Sequence, residues 1–155
     1  MNSWLTLLLI VGVVYTVLRV IIIPLVPPKM IGLTASGHLQ PCPNTPNCVS
    51  SQASPSSSAY VAPLVFNPTL GHPMDQLRTI LAEMGRNDIM TDSQQYMHSV
   101  FVSPLMGYRD DVEFLLLNDG NSVQVRSASR IGREDFQANR KRIEALRQRI
   151  QNRSI

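Results

Sequence analysis

The chain has 155 residues and a net charge of +3, and its length suits one small globular domain with one appendage. The segment 126–155 contains nine basic and three acidic residues, whereas the segment 32–125 contains three arginines and eight carboxylates. The basic segment could meet anionic lipid headgroups, an anionic ligand or an acidic partner, or it could pair with the carboxylates upstream. Because aromatic residues are few in the basic segment and the N-terminal segment is apolar, we expect no nucleic-acid binding.

An apolar segment near the N-terminus predicts a transmembrane helix. Residues 4–23 match, at about 1.5 Å per residue, the roughly 30 Å of a bilayer core. Pro24, Pro27 and Pro28 then end the helix. No Lys or Arg precedes the apolar run, which is longer than a signal-peptide core and is followed by no small-residue cleavage site. We therefore expect a single-pass, uncleaved signal anchor over residues 1–26. Within residues 4–23, the residues that are not strongly apolar are Thr6, Gly12, Tyr15, Thr16 and Arg19.

Two signals disagree on the orientation of this anchor. Arg19 and Lys29 lie on its C-terminal side, which by the positive-inside rule places the soluble domain in the cytoplasm. Cys42 and Cys48 favour the opposite side, because a disulfide closing their short loop would persist only in an oxidising compartment. The alternatives to a disulfide are two reduced, buried thiols or one reactive cysteine. A structural zinc site is not among them, because two cysteines are too few ligands. We expect a soluble domain on the periplasmic side of the inner membrane.

Residues 27–59 are rich in Pro and Ser and show neither helix nor strand periodicity, so we expect an extended arm that carries the Cys pair. Residues 60–155 form the soluble domain. Its predicted strands are 60–66, 96–102, 111–117 and 122–128, with a further edge strand at 86–91. The turn sequence Asn-Asp-Gly-Asn at 118–121 joins the last two strands into a hairpin.

Two helices complete the domain. The first covers 73–84, with Pro73 at its first position and Gly85 after its end. The second covers 134–151, with Glu134 and Asp135 in its first turn, where they favour the helix dipole. Its predicted core-facing stripe is Phe136, Asn139, Ile143, Leu146 and Ile150. The fold class is α+β: an N-terminal transmembrane helix followed by a small antiparallel sheet packed against two helices, the longer one C-terminal.

Three carboxylates stand close together in one predicted strand. Asp111 and Glu113 share a face of the strand, whereas Asp110 takes the other. Paired carboxylates can divide acid and base roles, bind a divalent cation or accept bidentate hydrogen bonds from Arg. The hairpin brings Arg126 close to them, which favours a structural ion-pair network over ligand binding and over catalysis.

The segment that follows the hairpin is a second candidate. Arg126, Ser127, Ser129 and Arg130 lead into a turn before a helix, where backbone N–H groups with Arg and Ser side chains would suit an anion. Capping of the helix is the structural alternative. Asn139 lies on the apolar stripe and must be hydrogen-bonded when buried. We expect it to clamp a neighbouring backbone segment, with the arm as the candidate, in preference to facing a ligand cavity.

Evidence for an enzyme is thin. The three histidines, His38, His72 and His98, are scattered, and no zinc-protease pattern, catalytic triad, G-x-S-x-G or phosphate-loop sequence occurs. We expect no cofactor and no metal site.

Four sequence blocks follow one another along the chain. They are Cys42-Pro43-x-x-Pro46-Asn47-Cys48-Val49-Ser50-Ser51, Asp110-Asp111-Val112-Glu113-Phe114, Arg126-Ser127-Ala128-Ser129-Arg130-x-Gly132 and Asn139-Arg140-x-Arg142-Ile143-Glu144-x-Leu146-Arg147. Through these blocks the chain resembles the family defined by domain of unknown function 1499, known from bacteria and plastids. The resemblance covers roughly residues 39–147. One departure is Gln137, where the family pattern tends to have glycine two residues before the Asn-Arg pair.

The resemblance implies a membrane-associated or exported domain, which supports the disulfide, but it supplies no activity. It marks a set of candidate ligand-binding residues, with the catalytic residues unknown. These are Asp110, Asp111, Glu113, Arg126, Ser127, Ser129, Arg130, Asn139, Arg140 and Arg142.

Three hypotheses on function follow. The first is a non-catalytic, membrane-anchored binding or accessory module, with a lipid or a small anionic molecule as its ligand. The second is a hydrolase that uses Asp111 and Glu113, which requires a water-accessible carboxylate with a raised pKa. The third is a structural subunit that needs a partner protein in a membrane complex. The lipid bilayer is an expected partner in all three.

Overall fold

The computed structural model describes residues 3–153. Its first helix, α1 (Ser3–Val17), continues through a π-helical turn at Leu18–Ile22 and a last helical turn at Ile23–Leu25. Together these form one apolar helix, Ser3–Leu25, which is long and apolar enough to cross a membrane. It is the helix predicted from the sequence, and its side chains are mostly exposed, as expected for a lipid-facing surface.

An antiparallel sheet of six strands follows, which confirms the α+β class. The strands are β1 (Cys48–Ser50), β2 (Leu64–Val65), β3 (Asn87–Asp92), β4 (Tyr96–Val102), β5 (Arg109–Leu116) and β6 (Ser122–Ser129). Their order in the sheet is β1-β6-β5-β4-β3, and β2 pairs with the other end of β6. The predicted hairpin is β5–β6. Strand β3 is the predicted edge strand, and its register with β4 shifts between Ile89 and Thr91.

Both soluble-domain helices cover one face of this sheet. Helix α2 (Pro73–Met84) has the predicted bounds and ends at Gly85. Helix α3 (Ala138–Arg153) is the longer, C-terminal helix. Alternate residues of β4, β5 and β6 face these helices and form the apolar core with them. The largest side chains in this core include Met97, Phe114, Leu77, Ile80, Ile143 and Leu146.

The opposite face of the sheet is polar, and the segment that follows the apolar helix covers it. Arg130 donates from Nη1 to the Val26 carbonyl at 3.2 Å, and the Gly32 N–H donates to Glu113 Oε1 at 2.6 Å. Ile23, in the last turn of the apolar helix, and Leu39, in the arm, are both buried. The central strands of the sheet are therefore covered on both faces, by helices on one and by the start of the arm on the other, whereas β3 is mostly exposed.

The arm is more ordered than the sequence predicts. Strand β1 lies within it and pairs with β6 from Cys48↔Ala128 to Ser50↔Arg126. Cys42 and Cys48 are bonded as predicted, with their Cα atoms 5.7 Å apart. The predicted strand at 60–66 is shorter than expected, since only β2 pairs there. Three residues without alternating hydrophobicity are too few to reveal a strand such as β1 in the sequence.

The last helix starts later than predicted. It begins at Ala138, so Glu134 and Asp135 precede its first turn instead of lying within it. The reason is the backbone of Phe136 and Gln137, whose φ angles of 52° and 64° are left-handed and cannot continue a right-handed helix. Phe136 was also predicted to be core-facing, but its side chain is 88% exposed. The remainder of the predicted stripe is buried.

Replacing Gln137 by glycine is expected to stabilise the protein. A left-handed φ costs a non-glycine residue about 1–2 kcal/mol, whereas the greater freedom of glycine in the unfolded chain costs about 0.5–1 kcal/mol. Gln137→Gly should therefore raise the Tm by roughly 1–4 °C, measured by near-UV circular dichroism of the full-length protein in mild detergent. Gln137→Ala is the matched control, because it keeps the Cβ and the strained backbone. A glycine variant that melts no higher than the alanine variant would contradict this account.

Candidate functional site

The structure gathers nine of the ten predicted site residues into two clusters on opposite faces of the sheet. The arm-side cluster lies beneath the segment Val26–Gly32 and contains Asp111, Glu113, Arg126 and Arg130. The helix-side cluster lies between the sheet and α3 and contains Asp110, Ser127, Ser129, Asn139 and Arg142. The split follows from strand alternation, because odd and even residues of β5 and β6 point to opposite faces.

Asp111 is held by three donors in the arm-side cluster. Arg130 binds it through two hydrogen bonds, Nε to Oδ2 at 2.9 Å and Nη2 to Oδ1 at 2.8 Å. His98 Nε2 lies 2.8 Å from Oδ1. A bidentate Arg–carboxylate pair is among the strongest polar contacts that side chains form. All three side chains are buried, so no water competes for these bonds.

Glu113 is held in the same way, but partly by the arm. Arg126 lies directly opposite on β6 and donates from Nη1 to Oε2 at 2.8 Å. Tyr96 and the Gly32 N–H both donate to Oε1, at 2.8 and 2.6 Å. The Glu113 and Arg126 side chains are only 0% and 1% exposed. Within residues 3–153, Nε of Arg126 is the one buried side-chain nitrogen or oxygen without a hydrogen-bond partner.

The ionisation of this cluster is set by these contacts. Burial acts to raise the pKa of Asp111, but hydrogen bonds from His98 and Arg130 outweigh it and hold that pKa below its ordinary value. Burial, together with the neighbouring Glu113 carboxylate, raises the pKa of the Tyr96 hydroxyl well above its ordinary range. At neutral pH the first group is therefore an anion and the second a neutral donor.

On the helix side, Asp110 accepts a hydrogen bond from Arg142 Nη2 at 2.6 Å. The same guanidinium donates from Nη1 to Ser127 Oγ at 3.0 Å and lies 4.8 Å from the centroid of the Phe101 ring. Arg142 thus binds β4, β5 and β6 from one helical position. In such a contact the aliphatic stem of the Arg side chain and the planar face of its guanidinium are packed, and its charge is paired as well.

Asn139 clamps the arm, as predicted. Its Nδ2 donates to the Asn47 carbonyl at 3.0 Å, immediately before β1, and to Asp135 Oδ2 at 2.7 Å. Its Oδ1 accepts from Ser127 at 2.5 Å. Asp135 also accepts the Asn139 backbone N–H at 2.8 Å, so its carboxylate satisfies a free donor at the start of α3. The start of this helix is therefore capped by the chain itself.

The remaining predicted residue, Arg140, binds the arm backbone. Its guanidinium donates to the Tyr60 and Ser58 carbonyls at 2.8 and 2.5 Å. Arg147, one of the family-block residues, binds the next stretch of chain in the same manner, at the Pro63 and Ala62 carbonyls. Six of the eight arginines in the segment 126–155 thus bind backbone carbonyls or upstream carboxylates.

Sequence reasoning missed four groups of the arm-side cluster, two side chains and two backbone groups. His98 and Tyr96 were not linked to the carboxylates, although their even positions on β4 place them on the same face as Glu113. The alternation of β4 side chains between the two faces of the sheet was the sequence signal that could have revealed these two residues. The backbone groups of the arm, at Val26 and Gly32, carry no side-chain signal and could not have been found.

Two open grooves lie elsewhere on the described surface. One, of about 700 Å³, runs between the disulfide loop and residues 57–59. The other, of about 780 Å³, lies beside the start of α3, and Arg140 is the only predicted site residue that lines it. No group of three or more His, Cys, Asp or Glu residues that could hold a metal ion occurs within residues 3–153. Whether the ten residues bind a ligand therefore stays a prediction.

A comparison with known protein families matches most of the chain. The family model "Protein of unknown function (DUF1499)" matches residues 38–150, a range that contains both clusters and the disulfide. The chain therefore belongs to this family, which confirms the resemblance found in the sequence. Searches of curated proteins and of solved structures find no match.

A double-mutant cycle tests the Glu113–Arg126 pair. Arg126→Met leaves a buried carboxylate without its counterion and should cost about 3–5 kcal/mol of unfolding free energy. Glu113→Gln/Arg126→Met removes both charges but keeps an acceptor for Tyr96 and Gly32, so it should be more stable than Arg126→Met alone. Glu113→Gln alone completes the cycle. Denaturant unfolding of the full-length protein in mild detergent measures the unfolding free energy of the three variants and of the unchanged protein.

The control for this cycle is Glu83→Gln, which removes the exposed partner of Arg153 and should cost less than about 1 kcal/mol. Additive effects of the two single substitutions would contradict the coupling.

Proposed function

We propose that the protein is a non-catalytic accessory subunit of a membrane complex, in which the apolar helix and the soluble domain act as one rigid body. The observation that carries the proposal is that the segment joining the apolar helix to the domain is docked on the sheet. A flexible tether would leave the domain free to move, whereas here Val26 and Gly32 are bound by Arg130 and Glu113 beneath the sheet. Such a connection fixes where the domain's surface stands relative to the membrane, which matters for a subunit that meets a neighbour.

The state of the carboxylates supports a non-catalytic role. A hydrolytic general acid needs a raised pKa and access to water. Asp111 has a lowered pKa, and both it and Glu113 are buried and paired with Arg. These carboxylates stabilise the attachment of the arm, and their charge is already neutralised by the arginines.

The disulfide supports a periplasmic location for the domain, since such bonds persist in oxidising compartments. A membrane-impermeant thiol reagent applied to intact cells should label the protein only after reduction. Cys42, which is partly exposed, should react before the buried Cys48. The Cys42→Ser/Cys48→Ser variant gives the background. Thiols that react without reductant, but only after lysis, would place the domain in the cytoplasm.

Native mass spectrometry tests the subunit proposal. The full-length protein, extracted gently from the membranes of its own host, should carry a stoichiometric protein partner. A chimera with an unrelated apolar helix of equal length in place of Ser3–Leu25 should lose it. A monomer without any added mass would contradict the proposal, and so would a partner that the chimera retains equally well.

A lipid or small anionic ligand is the second candidate. The groove beside α3 supports it, because Lys141 and the exposed Phe136 offer a cation and an apolar surface at its edge. Its signature in the same experiment is a reproducible small added mass that Lys141→Ala removes. A small mass that is lost in Arg126→Met, with the fold intact, would instead support ligand binding by the arm-side cluster.

A further inference from the structure

The loop between β4 and β5 is the most apolar exposed turn of the soluble domain. It comprises residues 103–108, Ser-Pro-Leu-Met-Gly-Tyr, and contains no charge. Leu105 at its tip is 71% exposed and Tyr108 at its end is 41% exposed. An exposed leucine alone is ordinary, but an uncharged loop with several apolar members in a row indicates a contact surface.

This loop lies against the apolar helix. The Leu105 carbonyl accepts hydrogen bonds from Tyr15 Oη at 2.7 Å and from Arg19 Nη1. A Cβ on Gly107 would stand 3.5 Å from Arg19 Nη1 and 3.7 Å from the Arg19 carbonyl. With a φ of 74°, this position also requires glycine for its backbone. The loop and the helix are therefore fitted to each other.

The contact lies well inside the membrane-spanning length of the helix. Tyr15 and Arg19 precede Leu25 by ten and six residues, which at 1.5 Å per residue is about 15 and 9 Å back along the helix axis. Interfacial segments of peripheral proteins reach about 5–10 Å into the boundary between headgroups and acyl chains. When the helix crosses a bilayer with Leu25 at the membrane surface, a loop bound at Arg19 and Tyr15 therefore reaches this depth and beyond it.

Several backbone groups of the loop are paired within the protein. Gly107 N–H donates to the Ser103 carbonyl at 3.1 Å, and Tyr108 N–H donates to Ser103 Oγ at 2.9 Å. Tyr15 and Arg19 supply the donors for the Leu105 carbonyl. Because an unpaired backbone group in lipid costs several kcal/mol, these pairings lower the free-energy cost of placing the loop in lipid. This accounts for two of the polar residues in the apolar segment.

We propose that the β4–β5 loop is inserted into the same leaflet that the apolar helix enters, with lipid acyl chains around Leu105 and the headgroup region around Tyr108. Lipid is the occupant because the loop continues the exposed apolar surface of the helix, and because Tyr is a residue of membrane–water interfaces. The helix and the loop are then two separate points of insertion, and together they fix the tilt of the domain. The proposal is independent of the accessory role.

Tryptophan fluorescence tests the insertion. Trp4 is the sole tryptophan, so Trp4→Phe provides a full-length background without one. In that background, Leu105→Trp is the reporter, Tyr108→Trp a second reporter, and Asn118→Trp the control. Asn118 is exposed in the β5–β6 turn, at the opposite end of β5, which spans eight residues and thus about 25 Å. The proteins are reconstituted into vesicles of phosphatidylcholine brominated along its acyl chains.

Brominated lipid should quench Leu105→Trp several-fold more strongly than Asn118→Trp, with Tyr108→Trp between them, and aqueous acrylamide should show the reverse order. Quenching of both loop reporters by acrylamide to the level of Asn118→Trp would overturn the proposal. Protection from both quenchers would overturn it as well, because a protein surface, such as a second copy of the chain, would then cover the loop.

Discussion

Burial of charge beneath the start of the arm is the constraint on which the rest of the structure depends. Four full charges, on Asp111, Glu113, Arg126 and Arg130, lie in the interior of a small domain. A buried ion without its partner is costly, so this face of the sheet can be covered only when every pairing is made together. The pairings also fix the strand register, since a slip of one residue would move Arg126 to the face occupied by the apolar core.

The same groups connect parts of the chain that are far apart in sequence. Glu113 pairs with its neighbour across the hairpin, but it also accepts the Gly32 N–H, 81 residues away. Asn139 reaches across 92 residues to the carbonyl before β1. Docking of the arm therefore depends on a completed sheet and on the last helix. Because long-range contacts of this kind form late and cost loop entropy, the segment after the apolar helix is expected to attach last during folding.

The sequence predicted the parts of this structure that are set by side-chain patterns. Alternation in β5 and β6 was enough to place Asp111 and Glu113 on one face, and a polar residue on an apolar helical stripe was enough to identify Asn139 as a clamp. The path of the arm was not predictable, because its docking uses backbone groups at Val26 and Gly32, which any residue could supply. The late start of α3 was missed because Phe136 gives an apolar signal at helical spacing, whereas its left-handed backbone has no signature in composition.

Strand β3 has a consequence for how copies of this protein behave together. It forms one edge of the sheet, and an unpaired edge strand can recruit another chain through its free N–H and C=O groups. Confinement to a membrane would raise that risk, because neighbours diffuse in two dimensions with matching orientation. The register shift at Ile89 and Thr91 distorts the edge, and Asp88 adds a negative charge to it, whereas the Asp92 carboxylate is paired with Arg78. Two distorted edges that each carry this charge would pair poorly, so the strand protects the protein against aggregation.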